Sequence, residues 1–101
     1  MAVGTIIIHK LESTNNLGFY EISSDDFNIN NFYMCIDKVN KVISFFLTKD
    51  FCNPIRIIDY NKNDIMGLIP GIPTMVFSIV LRHALRVFKM EYFPESLSYS
   101  A

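Results

Sequence analysis

The fold class predicted from this sequence is α+β: two layers, a mostly antiparallel sheet of three to five strands with one long C-terminal helix packed on it. Three features predict it. Short β-branched and aromatic runs recur through residues 4–60, separated by Asn-, Asp- and Gly-bearing connections. The last third holds a single long apolar stretch with helical spacing of its polar residues. The chain has 101 residues, half of them hydrophobic and 19% charged, which suits one domain spanning 1–101 and excludes a disordered chain.

Taken in order, "GTIIIHKL" (4–11) reads as a strand and "ESTNNLG" (12–18) as a polar connection. "FYEIS" (19–23) is a second strand. "SDDFNINN" (24–31) is a loop or a single helical turn that Ser24 can cap. "FYMCID" (32–37) and "KVISFFL" (41–47) form a hairpin around "KVN", with Asn40 taking the left-handed conformation. That register pairs Asp37 with Lys41. It places Phe32, Met34, Ile36, Val42, Ser44 and Phe46 on one face, and Tyr33, Cys35, Ile43 and Phe45 on the other. Both faces are largely apolar, so the hairpin is expected at the centre of the sheet, covered at least in part on both sides. "PIRIIDY" (54–60) follows as a strand with Pro54 at its first position. "NKND" (61–64) is a turn or loop.

"GLIPGIPTMVFSIVLRHALRVF" (67–88) is the most hydrophobic stretch, and residues 65–81 carry no charge. Gly67, Pro70, Gly71 and Pro73 break its first half, so a helix starts near Pro73. Ser78, Arg82, Arg86 and Lys89 then fall on one narrow stripe, with apolar residues around the rest of the surface. Arginines along such a stripe are costly in lipid and ordinary in a helix packed on a sheet. Pro94 is expected to stop the helix, leaving "ESLSYSA" as a tail. The breadth of the apolar surface also allows a homodimer through the helix.

Composition excludes several functions. The net charge is -1 and the pI is near 6.0, without the basic excess of a nucleic-acid binder. The N-terminus has no basic n-region and an apolar run of only three isoleucines, so it is not a signal peptide. Two cysteines without a CxxC pair read as reduced thiols of a cytoplasmic protein. No P-loop, no GxGxxG and no zinc-like grouping is present, so no metal, cofactor or catalytic residue is expected. His83 has no ligand partner at i+3 or i+4 and reads as a core or boundary histidine. Cys35 reads as a buried, inert thiol. Cys52, in a turn beside Lys49, is the more reactive candidate. "SSDD" (23–26) lacks the regular oxygen spacing of a calcium loop.

Acids concentrate at expected loops and strand ends. Residues 1–64 hold eight acids against six lysines and arginines. The bland reading is solvated loops. The sharper one is that Glu21, Asp25, Asp26, Asp50, Asp59 and Asp64 form a patch for a basic partner, with Tyr20, Phe27 and Tyr60 as aromatic anchors.

"FYMCIDKVNKVISFFLTKDFCNPIRIID" and "ALRVFKMEYFPESLSY" resemble segments of small bacterial immunity proteins. These are the antidotes of polymorphic toxins, contact-dependent growth inhibition systems included. The likeness lies in an aromatic-rich strand, an "ID-turn-K" hairpin, a late helix and an "FPE" ending. The resemblance implies a protein that acts by binding, in a one-to-one complex with a cognate toxin C-terminal domain. Such toxins are frequently nucleases with basic grooves, which an acidic face would occlude. The alternative is a self-associating structural or regulatory subunit without catalytic activity.

Overall fold

The computed structural model describes residues 5–24, 30–62 and 71–100. It contains β1 (Thr5–Ser13), β2 (Leu17–Ser24), β3 (Phe32–Asp37), β4 (Val42–Phe46), β5 (Arg56–Asp59), a 3-10 turn (Tyr60–Lys62), α1 (Thr74–Val87) and β6 (Ser96–Ser100). The strands form one sheet in the order β5-β4-β3-β2-β1-β6, and every neighbouring pair is antiparallel. The architecture is therefore α+β, with one more strand than the upper expectation.

The extra strand is the expected tail. Residues 96–100 pair with β1 from Thr5↔Ser100 to His9↔Ser96. Their alternation of serine with Leu97 and Tyr99 carries the period of two that a strand requires. Leu97 packs against the core cluster.

The β3–β4 hairpin differs from expectation by one residue. Asp37 pairs with Val42, and Ile36 with Ile43. Lys41, at φ 55°, takes the left-handed position expected of Asn40. The Asp37 carboxylate is the cause. It accepts the amides of Val39 and Asn40, each at 3.0 Å, and the Asn40 side-chain amide at 2.9 Å, so the loop closes over four residues. A one-residue slip reverses the faces of a strand. Ile43 and Phe45 thus join Phe32, Met34 and Ile36 in the core, while Val42, Ser44 and Phe46 turn to the other side.

Helix α1 starts after Pro73, as its sequence requires, and buries Val76, Phe77, Ile79, Val80, Leu81, Ala84 and Val87. These side chains meet Ile6, Ile8, Tyr20, Ile22, Met34, Phe45 and Ile58 of the sheet. Phe77 packs on Phe45 at 5.2 Å between ring centroids. Ser78, Arg82, Arg86 and Lys89 are exposed, in keeping with the expected stripe. The helix ends at Val87, well before Pro94. Lys89 and Met90 donate to Arg86 and Val87 in a tighter i→i−3 turn, at 3.0 and 3.1 Å.

Three side chains, two from the sheet and one from the β3–β4 turn, then hold the outgoing segment. Lys38 Nζ donates to the carbonyls of Met90 at 2.7 Å and Tyr92 at 2.9 Å. Tyr20 Oη donates to Pro94 O at 2.9 Å. Lys10 Nζ donates to Phe93 O at 3.2 Å and pairs with Glu95 at 3.0 Å. Phe93 lies under the Lys38 ammonium, 4.4 Å from its ring centroid, and against the bare backbone of Gly18. A Cβ at Gly18 would stand 2.4 Å from Phe93 Cδ1, so this approach needs glycine.

Candidate functional site: the open face of the sheet

Helix α1 covers one face of the sheet. The pleat sends alternate residues to the other: Leu17, Phe19 and Glu21 of β2, Tyr33, Cys35 and Asp37 of β3, Val42, Ser44 and Phe46 of β4, and Ile57 and Asp59 of β5. Most of these are half-buried, and Ile57 is 49% exposed. No helix among the described residues crosses this face.

Its centre is aromatic. The connection after β4 turns back and lays Phe51 on the sheet, at ring-centroid distances of 4.9 Å from Phe19, 5.2 Å from Phe46 and 6.0 Å from Tyr33. All three contacts are edge-to-face, the arrangement that ring quadrupoles favour. Phe51 holds φ 54°, a left-handed conformation that costs a non-glycine residue about 1–2 kcal/mol. The three ring contacts offset that cost. Leu47, at the start of the same connection, is 54% exposed.

Its margins are acidic. Glu21 stands between His9 and Tyr33 in the register, near enough to the Tyr33 phenol to act on its titration. Desolvation first, and then Glu21, raises the Tyr33 pKa, so the phenol stays a donor at neutral pH. Asp37 and Asp59 flank Val42 at the end of β3 and β5. Glu12 joins them through a bulge in β1. Lys10 pairs with Tyr20 and Glu12 with Phe19, so Leu11 is skipped and Glu12 turns to the open face. Among the described residues, the open-face strand positions carry these carboxylates and no lysine or arginine. Arg82 and Arg86 lie on the helix and Lys89 in the turn after it, Lys10 and Arg56 share the register of core residues, and Lys49 and Lys62 lie in the connections that hold Phe51 and follow Asp59.

Of the residues expected to bind a partner, Glu21 and Asp59 thus share the open face. Asp50 lies beside Phe51 in the connection. Its carboxylate accepts the Thr48 hydroxyl at 2.6 Å and the Cys52 amide at 3.2 Å, which holds its pKa below the usual carboxylate value. Asp59 accepts the Asn61 amide at 3.0 Å and stands 4.0 Å from Lys62. Asp50 and Asp59 occupy opposite ends of the β4–β5 pair, so they do not form one cluster. Tyr60 is 43% exposed but packs on Phe88, away from the open face. Tyr20 is fully buried on the helix side, which removes it as an anchor. Asp25, Asp26, Phe27 and Asp64 lie outside the described residues. Phe46 is 6% exposed, beneath Phe51, and Tyr33 is half-buried; the sequence reading did not include Glu12, Asp37, Phe19 or Phe51 among the partner-binding residues. The alternation of Phe19 with Glu21 and of Tyr33 with Asp37 was the signal that tied them together.

The remaining candidates have quiet surroundings. Cys35 is half-buried on the open face, and burial followed by Asp37 pushes its thiol up to about 11. It is therefore protonated and a poor nucleophile at neutral pH. Cys52 is exposed, and its Sγ donates to the Asp50 carbonyl at 3.3 Å. His83 is half-buried, and burial followed by Arg86 and Arg82 lowers its pKa. Among the described residues, no group of three His, Cys, Asp or Glu side chains is placed to hold a metal. No helix among them is long and apolar enough to cross a membrane. No known protein family, curated protein or solved structure matches this chain.

Proposed function

We propose that this chain is a non-enzymatic binding protein of the immunity type. It holds a basic partner, the C-terminal domain of a cognate toxin, in a one-to-one complex against its open sheet face. Occlusion of the toxin's active site, a nuclease groove being the best fit in charge, is the mechanism, and the cytoplasm is the place of action. One observation carries the reading: an aromatic centre of Phe19, Tyr33, Phe46 and Phe51 whose surrounding strand positions, among the described residues, bear Glu12, Glu21, Asp37 and Asp59 and no lysine or arginine. Rigid aromatics rimmed by charge are the anatomy of a protein-recognition surface. One sign of charge selects a partner of the other and speeds its arrival.

The alternative, self-association through the helix, draws less support. The apolar arc of α1 is already spent on its own sheet. A symmetric helix-to-helix contact would set Arg82, Arg86 and Lys89 against their own copies. The test is co-expression with the protein encoded immediately upstream. A stable one-to-one complex together with restored growth is the expected result. A chain that ignores that product and forms a dimer at micromolar concentration would overturn the reading.

A further inference from the structure

A cleft lies away from the open sheet face, where α1 ends beside the β3–β4 turn. This cleft, of about 240 Å³, is lined by Lys41, Tyr60, Leu85, Arg86, Phe88 and Lys89. Its floor is apolar: the Tyr60 and Phe88 rings stand 5.8 Å apart beside Leu85. Its rim carries three cations. Among the described residues none of the three has a carboxylate within ion-pair distance.

Favourable interaction with the helix dipole accounts for Arg86 and Lys89 at the end of α1. It does not account for Lys41. That residue comes from a different element and holds φ 55°, a conformation glycine or asparagine adopts at lower cost. The turn is rigid there: Lys41 O accepts the Tyr60 amide at 3.0 Å, and Asn40 O accepts the Asn61 side chain at 3.1 Å. The Lys41 ammonium is thereby brought to 6.0 Å from the Tyr60 ring centroid, at the mouth of the cleft. Three cations from two elements that line one small cleft over an aromatic floor, with no carboxylate among its lining residues, fit an anionic ligand.

We propose that this cleft binds a small phosphate monoester carrying a flat aromatic body. Three cations match the charge of a phosphate dianion better than that of a single carboxylate. The guanidinium fork of Arg86 suits phosphate oxygens in particular. The rings of Tyr60 and Phe88 supply a surface for the aromatic part. The cleft is too small for an extended peptide and larger than a bare phosphate needs.

The test is titration of the whole chain with phenyl phosphate, inorganic phosphate and phenol, followed by calorimetry and by amide chemical shifts. Phenyl phosphate is expected to bind at least tenfold more tightly than either fragment and to shift the amides of Lys41, Tyr60 and Phe88. Arg86→Ala should weaken it about tenfold or more, the loss of one charge-assisted contact. Lys41→Gly should also weaken it, while raising the Tm by relieving the left-handed conformation. That variant separates lost binding from lost folding. Equal affinity for phenyl phosphate and inorganic phosphate would overturn the proposal. So would shifts elsewhere, indifference to both substitutions, or no binding at millimolar concentration.

Discussion

Replacing Gly18 by alanine probes how the chain is held after its helix. The added methyl would stand 2.4 and 2.7 Å from two carbons of the Phe93 ring, the nearer at least about 1 Å inside ordinary contact. The ring is 7% exposed and cannot swing out freely. Moving it would lift it from the Lys38 ammonium at 4.4 Å and strain the Tyr20 hydrogen bond to the neighbouring Pro94. Overpacking of this kind costs about 1–3 kcal/mol. For a domain of this size each kcal/mol lowers the Tm by about 4–8 °C. Urea denaturation monitored by circular dichroism measures the loss directly. A double-mutant cycle fixes its cause. Phe93→Ala alone should cost about 3–5 kcal/mol. In that background Gly18→Ala should be nearly neutral, because no ring remains to be struck, giving a coupling of about 1–3 kcal/mol. A cost for Gly18→Ala below about 0.5 kcal/mol, or the same cost with and without Phe93, would refute the reasoning.

Three further outcomes are expected. Phe51→Ala should destabilise the fold by about 1–3 kcal/mol through loss of three ring contacts; Phe51→Gly should be the more stable of the two by about 1 kcal/mol, because only glycine relieves the left-handed backbone, and the reverse order in urea melts would contradict this. Lys38→Met keeps the alkyl stem and removes the ammonium, so about 1–3 kcal/mol should be lost and hydrogen exchange around residues 90–95 should quicken. His83 has a folded pKa below its ordinary 6.5, so the unfolded chain binds the extra proton first. Its contribution is complete above pH 6.5 and is lost as the pH falls through the folded value; His83→Gln should therefore flatten the part of the stability curve just below pH 6.5, and an unchanged slope there would contradict the burial argument.

The sequence made the elements legible where local pattern and tertiary context agree. β3 matches its expected bounds because its apolar run and its alternating burial demand the same six residues. The start of α1 follows from Pro73 and needs no partner. The misses arose where a single side chain or a distant segment decides. The β4 register turned on one carboxylate, Asp37, closing a longer loop than "KVN" suggests. β6 exists because β1 offers an open edge to a serine-rich segment of low intrinsic preference. The end of α1 coincides with the Lys38 ammonium taking two carbonyls of the following segment, a residue far away in sequence. At the candidate site, the excess of acids over bases in residues 1–64 was visible, but the gathering of four carboxylates on the strands of one face was not. It depends on the bulge at Leu11 and on strand order, neither of which composition encodes.

The most direct test of the central claim is the affinity of the upstream-encoded partner for two charge-reversed chains, measured by calorimetry across a range of salt. The first is Glu21→Lys with Asp59→Lys on the open face; the second is Arg82→Glu with Arg86→Glu on the helix. Loss of at least a hundredfold in affinity and a shallower salt dependence for the first, with little change for the second, is the outcome expected of a basic partner on the open sheet face. Unchanged binding by the first and loss by the second would place the partner on the helix side and contradict the account.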